Sequence, residues 1–360
     1  MRTNRTLAPI SLSLTMAVLA GPALASDLRA DDARRTPDAA IEVGSRLLFD
    51  AGPILSCFDC GVDGNAESIV QTSLGMSTLG FGHELDNDNR VADQFTVPEG
   101  HQWTISTISF PAYQTGSGLN STMTAVNYRI WDGVPAEAGS SVVFGDTFVD
   151  RLVFSEWSGI YRVSELTSGE SAERPVMSNV VGGEFTLTTG TYWVDWQTDG
   201  SLSSGPWVPP ITIPGQTETG DALRSTDGGA SYNAITDGGS GATQGLPFLI
   251  DGMTTGPTLE VSGTCPGPMT ISLAGGTPSQ LAAVVSSPRQ GSFEIPNNFV
   301  CAGSLLAVTQ PTVLAIVPLD VNGSFQTSIE VPESGCGLYI EALDLTSCNA
   351  STVALVLPTL

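Results

Sequence analysis

Hydrophobic and polar residues alternate in many short segments of this chain, which is the pattern of β-strands with two different faces. The most regular segment, residues 191–197, reads TYWVDWQ. One face of this strand would carry Tyr192, Val194 and Trp196, and the opposite face Trp193, Asp195 and Gln197. Aromatic residues on both faces indicate either a central strand covered on two sides or a strand with one face open to a ligand. The pattern alone does not decide between these two alternatives.

Similar segments recur at a spacing of roughly ten residues before residue 252. They are residues 41–50, 94–98, 103–110, 126–131, 141–144, 160–163, 183–187 and 246–250. Short strands joined by Gly-rich turns predict a jelly-roll-like antiparallel sandwich for residues 46–252, with helix only as a turn or two at 67–73. The Gly-, Thr- and Asp-rich stretch 215–245 predicts an extended surface loop beside the sheet edge.

A second domain is predicted after a boundary near residues 252–257, beyond which tryptophan is absent and Val, Leu and Ala are more frequent. Its expected strands are residues 259–262, 269–273, 281–285, 305–308, 313–318, 324–331, 338–343 and 352–357. Asn322 and Gly323, between two alternating runs, predict a β-hairpin. Residues 258–360 therefore predict a smaller immunoglobulin-like β-sandwich.

The first 25 residues have the three parts of a secretory signal peptide. Arg2 and Arg5 precede an apolar run at 7–20, and residues 23–25 form an A-x-A cleavage motif. We expect cleavage before Ser26 and a secreted mature chain, extracellular or periplasmic. The charged residues 26–45 predict a flexible arm, and no later apolar run is long enough to span a membrane.

An acidic charge balance restricts the partners of the mature chain. Without the signal peptide, 11 arginines face 37 acidic residues, so the formal net charge is 11 − 37 = −26. Such a surface repels nucleic acid and anionic lipid, and it suits salty water, calcium or a cationic partner. The absence of lysine excludes Schiff-base chemistry on lysine and a P-loop.

Six cysteines in an exported chain predict disulfides. Cys57 and Cys60 form a C-x-x-C pair with no helical pattern after it, so a local structural disulfide is favoured over redox or metal chemistry.

The other four cysteines are in the second domain. Alternating strand direction would place Cys265 and Cys336 at one end of the sandwich and Cys348 at the other. A strand of about seven residues spans about 23 Å, which is beyond disulfide reach. Cys265 is therefore expected to pair with Cys336, and Cys301 with Cys348.

An acidic stretch is a candidate calcium site, and calcium is the one cofactor that the sequence suggests. Glu84, Asp86, Asp88 and Asp93 lie close together in sequence. Hard cations prefer about six to eight oxygen ligands from a flexible loop. The spacing does not match an EF-hand, and the alternative is a solvated acidic turn.

A second candidate site is aromatic. All six tryptophans lie before residue 252, and Trp157, Trp207 and Tyr232 occur in loop-like contexts. Exposed aromatic rings stack on sugar rings, so these three are the candidate ligand-binding residues. The alternative is that the tryptophans are core residues.

No recognisable catalytic motif is present. The sequence has neither G-x-S-x-G nor H-E-x-x-H, its only histidines are His83 and His101, and no spacing singles out a carboxylate pair. Arg129, Arg162 and Arg174 are expected to pair with buried or neighbouring carboxylates. The sequence therefore predicts a protein that is not an enzyme.

Seven short motifs occur in a recognisable order: LLFDAGP at 47–53, RVADQF at 90–95, IWDG at 130–133, IYRV at 160–163, TYW at 191–193, GPW at 205–207 and LPF at 246–248. Together they resemble a jelly-roll β-sandwich module of unassigned function that recurs in secreted bacterial proteins. The Cys-Pro-Gly, Cys-Ala-Gly and Cys-Gly steps of the tail are similar to a small β-domain at the ends of such proteins. This resemblance implies the fold of about 46–252 and an exported location. The pair Cys57 and Cys60 departs from the module.

Together these features predict a secreted, non-catalytic extracellular protein with a structural or adhesion role and a cell-surface component as its partner. The alternative is a calcium-stabilised carbohydrate-binding module that binds extracellular polysaccharide through its loop aromatics. Titration of tryptophan fluorescence with polysaccharides would separate the two.

Overall fold

Strands dominate the part of the chain that the computed structural model describes, residues 46–357. The predicted signal peptide and flexible arm, residues 1–25 and 26–45, lie outside it. Helix in the described part is limited to four 3-10 turns, at Val62–Gly64, Thr72–Leu74, Leu85–Asn87 and Glu333–Gly335. No helix there is long and apolar enough to cross a membrane. The predicted all-β class with antiparallel sheets is confirmed.

Twelve of the described strands precede residue 255. They are β1 (Arg46–Asp50), β2 (Ala66–Val70), β3 (Phe81–Gly82), β4 (Arg90–Ala112), β5 (Met123–Trp131), β6 (Val142–Gly145), β7 (Leu152–Ser164), β8 (Pro175–Gly200), β9 (Trp207–Val208), β10 (Leu223–Ser225), β11 (Asn233–Ala234) and β12 (Leu249–Thr254). Ten of them form one sheet in the order β1-β12-β4-β8-β5-β6, with β7 on β8, β2 on β7, β10 on β4 and β11 on β10. Among these ten strands, β2 and β7 are the pair that runs parallel.

Two long strands organise this sheet, and each joins segments that the sequence pattern predicts as separate strands. β4 contains residues 94–98 and 103–110, and β8 contains residues 183–187 and 191–197. Their pairing skips from Val97 opposite Gly190 to Gln102 opposite Thr188. Gly100, at φ 76°, lies inside that gap, so the chain forms a bulge there and continues the strand.

The sequence predicts a turn or two of helix at residues 67–73. Most of these residues belong to strand β2 in the structure. Glu67, Ser68 and Val70 are buried there, and the strand pairs with β7. The helical structure at the end of this stretch is the 3-10 turn Thr72–Leu74. Tertiary pairing therefore overrides a weak local preference.

Aromatic rings fill the core beneath the inner face of this sheet. Phe110 stacks on Trp196 with ring centroids 4.5 Å apart, and Phe248 contacts both rings. Phe95 stacks on Trp103 in the same cluster. These rings come from β4, β8 and the segment before β12, which fixes the order of those strands.

Nine described strands follow residue 255. They are β13 (Thr258–Gly263), β14 (Gly267–Ala274), β15 (Leu281–Ser287), β16 (Gln290–Glu294), β17 (Leu305–Val308), β18 (Thr312–Pro318), β19 (Phe325–Val331), β20 (Tyr339–Asp344) and β21 (Ala354–Leu355). A sheet β13-β14-β19 faces a sheet β18-β15-β20-β21, and β16 pairs with β17. Ile271, Val284 and Ile340 pack in the core between the two sheets.

The hairpin predicted at Asn322 and Gly323 is wrong. The turn exists, because Gly323 has φ 72° and Asp320 Oδ1 accepts hydrogen bonds from the N–H groups of Asn322 and Ser324 at 2.8 and 2.9 Å. However, β18 pairs with β15 and β19 pairs with β14, so the turn carries the chain from one sheet to the other.

The structure contains disulfides Cys265–Cys336 and Cys301–Cys348, which agrees with the pairs expected from strand direction. Cys336 precedes β20 and Cys348 follows it, as that argument requires.

The two groups of strands belong to one compact unit and meet at a polar junction. His101 Nε2 donates to Ala350 O at 2.6 Å, and Ala350 N donates to Glu99 O at 3.0 Å.

Candidate functional site

The outer face of β4, β8 and β5 carries a buried group of charged side chains. Strand alternation places Asp195 on the face opposite Trp196, as the sequence predicts, and the register sets Asp195 directly beside Arg129 of β5. Arg90, at the start of β4, reaches the same carboxylate. Arg90 and Asp195 are both fully buried.

Asp195 accepts hydrogen bonds on both carboxylate oxygens. Arg90 Nε donates to Oδ1 at 2.5 Å, and Arg129 Nε donates to Oδ2 at 2.9 Å. The indole N–H of Trp131 also donates to Oδ2. Two guanidinium groups therefore share one carboxylate, and the pairing expected for Arg129 is confirmed.

The amides of Asn127 and Gln197 complete the surroundings of Arg90. Arg90 Nη1 donates to Asn127 Oδ1 at 2.6 Å and to Gln197 Oε1 at 3.0 Å. We call Arg90, Asn127, Arg129, Trp131, Asp195 and Gln197 the Asp195 cluster. Its donors and acceptors are directed at one another, so it acts as a cross-link between three strands.

Residues 215–245 cover the Asp195 cluster. β10 pairs with β4, and Tyr232 accepts a hydrogen bond from Arg129 Nη2 at 3.2 Å. Ala222 and Ile235 are buried, so this segment is only partly the surface loop that its composition predicts. Of the two alternatives for residues 191–197, the structure has the central strand covered on both sides.

Of the four candidate calcium ligands, Glu84 and Asp93 are buried and already hydrogen-bonded. Glu84 Oε2 accepts from Asn89 Nδ2 at 2.7 Å. Asp93 accepts from the N–H groups of Gln94 and Leu246, each at 2.7 Å. Burial raises the pKa of Asp93 to about 7, against the effect of these N–H groups. Each of the two oxygens of Asp93 already accepts a backbone hydrogen bond.

The other two candidates, Asp86 and Asp88, are exposed on and beside the 3-10 turn Leu85–Asn87. Within residues 46–357, no three His, Cys, Asp or Glu side chains are grouped so that they could hold a metal ion. The structure thus does not bring the four candidate residues together around one point.

The tryptophans of the central strand offer no open ring. Trp193 is 6% exposed and Trp196 is fully buried. Trp193 packs with Trp131 on the outer face of the sheet, beneath Tyr232.

The three candidate ligand-binding aromatics are each half-buried and hydrogen-bonded within the protein. Trp157 lies within strand β7, not in a loop, and its indole N–H donates to Ile160 O at 3.3 Å. Trp207 lies in β9 and donates to Ser204 Oγ at 3.3 Å. Tyr232 follows β10 and is held by Arg129. They lie on three different strands or loops of the fold.

Both histidines are buried. Burial lowers the pKa of His83 to about 3, with smaller contributions from the nearby cations Arg224 and Arg90, so its ring is neutral at physiological pH. Thr254 Oγ1 is 2.7 Å from His101 Nδ1, and Nε2 of this ring is bonded at the junction described above.

Arg162 and Arg174 fill structural positions. Arg162 is buried and donates to Leu79 O at 2.7 Å and to Ser68 Oγ at 2.8 Å. Burial lowers the pKa of Arg162, the charge of its carboxylate neighbour Asp237 opposes this shift, and the two form no direct ion pair in the described structure. Arg174 forms an ion pair with the neighbouring Glu173 at 3.5 Å, as expected.

The pair Cys57 and Cys60 forms a disulfide beside Glu67, whose side chain is fully buried. Glu67 accepts hydrogen bonds from Ser168 Oγ at 2.5 Å and from Gly169 N at 2.9 Å. The sequence pattern gave no signal for this buried carboxylate, because only the parallel pairing of β2 with β7 places it inside.

Two shallow clefts on the described surface show which residues line open space. One of about 430 Å³ is lined by Leu79, Ser164, Glu170, Glu173 and Arg174, and one of about 230 Å³ is lined by Phe81, Arg224, Asn233 and Thr236. Neither lining includes a histidine, a cysteine or a tryptophan.

Neither a comparison with protein-family models nor a search of curated proteins finds a match to this chain.

Proposed function

We propose that this protein is an exported, non-catalytic β-sandwich protein with a structural or adhesion role outside the cell. The observation that carries the proposal is that the central charged cluster and the candidate tryptophans are hydrogen-bonded within the fold. Asp195 joins three strands, and the indole N–H groups of Trp157 and Trp207 are bonded internally.

The burial of both histidines also supports a non-catalytic role. His83 lies against Trp196 in the core, and His101 is bonded through both ring nitrogens. A general base must reach its substrate, and both histidine side chains are buried.

The alternative, a carbohydrate-binding module, is tested by titrating the mature protein with a panel of neutral and acidic polysaccharides while tryptophan fluorescence is recorded. We expect no saturable change. Trp157→Ala and Trp207→Ala are the test variants, and Phe148→Ala is the matched control because Phe148 is an exposed aromatic residue outside the candidate set. A saturable change that Trp207→Ala abolishes and Phe148→Ala retains would replace the structural role with glycan binding.

The location is tested by fractionating the cells that produce the protein. We expect a mature chain that begins at Ser26 and is recovered with the cell surface or extracellular matrix. Recovery of the uncleaved chain from the cytoplasm would contradict an extracellular role.

A further inference from the structure

Strand β18 is an edge strand with large apolar side chains in solvent. It pairs only with β15, so the backbone groups on its other side have no strand partner. Val313, Leu314 and Ile316 are 60%, 52% and 60% exposed. Val313 and Ile316 are opposite Val285 and Ala283 of β15, so they share one face of the sheet. Leu314 is the extra residue at the register shift between Val313 and Ala315.

Strands β16 and β17 cover part of the four-stranded sheet but do not reach β18. β16 and β17 pack on the outer side of β15 and β20, where Leu306 and Val308 contact Val285 and Tyr339. Val313, which is opposite Val285 in the register, remains exposed.

The other sheet, β13-β14-β19, has its edge strand β19 on the same side of the sandwich as β18. Its edge strand β19 pairs only with β14, and the turn at residues 319–324 joins β19 directly to β18. At the opposite side, β13 contacts β21, so that side is closed. The two sheets therefore share one open edge, formed by β18 and β19.

Soluble proteins usually protect an edge strand with charges, an internal proline or a bulge. β18 reads TVLAIVP and has no charged residue; its register with β15 shifts at Leu314, and Pro318 is its last residue. β19 reads FQTSIEV and has one charged residue, Glu330. The neutrality of β18 contrasts with a chain whose formal net charge is −24.

We propose that the open edge formed by β18 and β19 is the surface through which two copies of this chain associate. A two-fold axis perpendicular to the sheets would place β18 antiparallel to the β18 of the second copy, and β19 antiparallel to the other β19. Each sheet would then continue across the interface and double its width.

A second copy fits this edge better than a foreign peptide does. It presents two unpaired strands at the spacing that the first copy requires, whereas a single extended peptide can cover only one sheet. The neutral strand β18 also lets two acidic chains meet without bringing carboxylates together there. The inference rests on the proposed structural role, for which it names the partner.

Charge repulsion between the two copies should make dimerisation depend on the salt concentration. Apolar contact at the edge favours the dimer, and the net charge of the mature chain, 11 − 37 = −26, opposes it. Salt shortens the range of the repulsion to about 3 Å at about 1 M, so added salt should strengthen the dimer.

Sedimentation velocity on the mature full chain tests the proposal, from about 1 to about 200 µM protein and at about 0.05 and about 0.5 M sodium chloride. We expect a monomer–dimer equilibrium that shifts toward dimer at the higher salt. Leu314→Lys and Ile316→Lys should each weaken dimerisation by at least about tenfold, because each places two like charges at one interface. Phe148→Lys is the matched control, since Phe148 is 84% exposed and lies far along the chain, before β7.

A monomer at every concentration and both salts would overturn the proposal, and so would a dimer that the two edge variants leave unchanged. Urea unfolding of each variant checks that the fold is retained, which the exposure of the replaced side chains favours. The polysaccharide titration of the previous subsection has a separate readout. A glycan response would therefore refute the structural role without changing the sedimentation result.

Discussion

Removal of the charge of Asp195 should destabilise the protein strongly. Asp195→Asn keeps the side-chain shape but leaves the fully buried guanidinium of Arg90 without a counter-charge. Breaking a buried ion pair in this way costs about 3–5 kcal/mol. That is a large part of the roughly 5–15 kcal/mol by which native proteins are stable.

The matched control is Asp146→Asn. Asp146 forms a partly exposed ion pair with Arg151, with Arg151 Nη2 3.0 Å from Asp146 Oδ2. Both substitutions remove one negative charge from the chain, so any effect of net charge is the same in both. The loss for this exposed pair should be no more than about 1 kcal/mol.

Urea unfolding followed by both circular dichroism and tryptophan fluorescence measures these losses, provided that the two transitions coincide. A third variant, Arg90→Met with Asp195→Leu, removes the two fully buried charges and should recover part of the loss. The recovery is partial because Arg129 and the Trp131 N–H lose their acceptor. Equal losses for Asp195→Asn and Asp146→Asn would refute the reasoning, because burial would then make no difference to the charge pair.

Three further predictions concern other parts of the fold. Burial raises the pKa of Glu341 to about 8, against the N–H of Ala307, so the native state keeps a proton that the unfolded chain loses near pH 4.5. The unfolding free energy should therefore fall between about pH 5 and pH 8 relative to that of Glu341→Gln, by at most about 1.4 kcal/mol per pH unit. Parallel curves of unfolding free energy against pH for the two proteins would contradict this. Replacing both Cys265 and Cys336 by Ala should lower the unfolding free energy in urea by about 4 kcal/mol, and replacing both Cys57 and Cys60 by about 2 kcal/mol. The difference is expected because the first disulfide closes a much longer loop. Equal losses would argue against loop entropy as the cause. Excess calcium should leave the melting temperature unchanged, whereas a rise of more than about 2 °C that Asp86→Asn with Asp88→Asn abolishes would establish a calcium site.

Sequence patterns predicted the parts of the fold that follow from strand alternation and strand direction. Alternation placed Asp195 and Trp196 on opposite faces of one strand, and strand direction gave the pairing of Cys265 with Cys336. Each of these needs only the geometry of a strand.

The remaining features depend on residues that are distant in sequence. The pattern of residues 191–197 does not show that Tyr232 and β10 cover the outer face, since these lie beyond a long polar segment. Asn322 and Gly323 do form a turn, but the partners of β18 and β19 decide that it connects two sheets. Likewise, Trp157 lies in a strand only because β8 lies beside it.

The disulfides of the C-terminal sandwich also determine what a protease can remove. Cys265–Cys336 and Cys301–Cys348 enclose overlapping intervals, so one backbone cut anywhere between residues 265 and 348 leaves the two fragments covalently joined. A nicked chain would run as an intact protein on a non-reducing gel and separate only after reduction. A chain built in this way can be cleaved once in an exposed turn and still keep both halves of the sandwich.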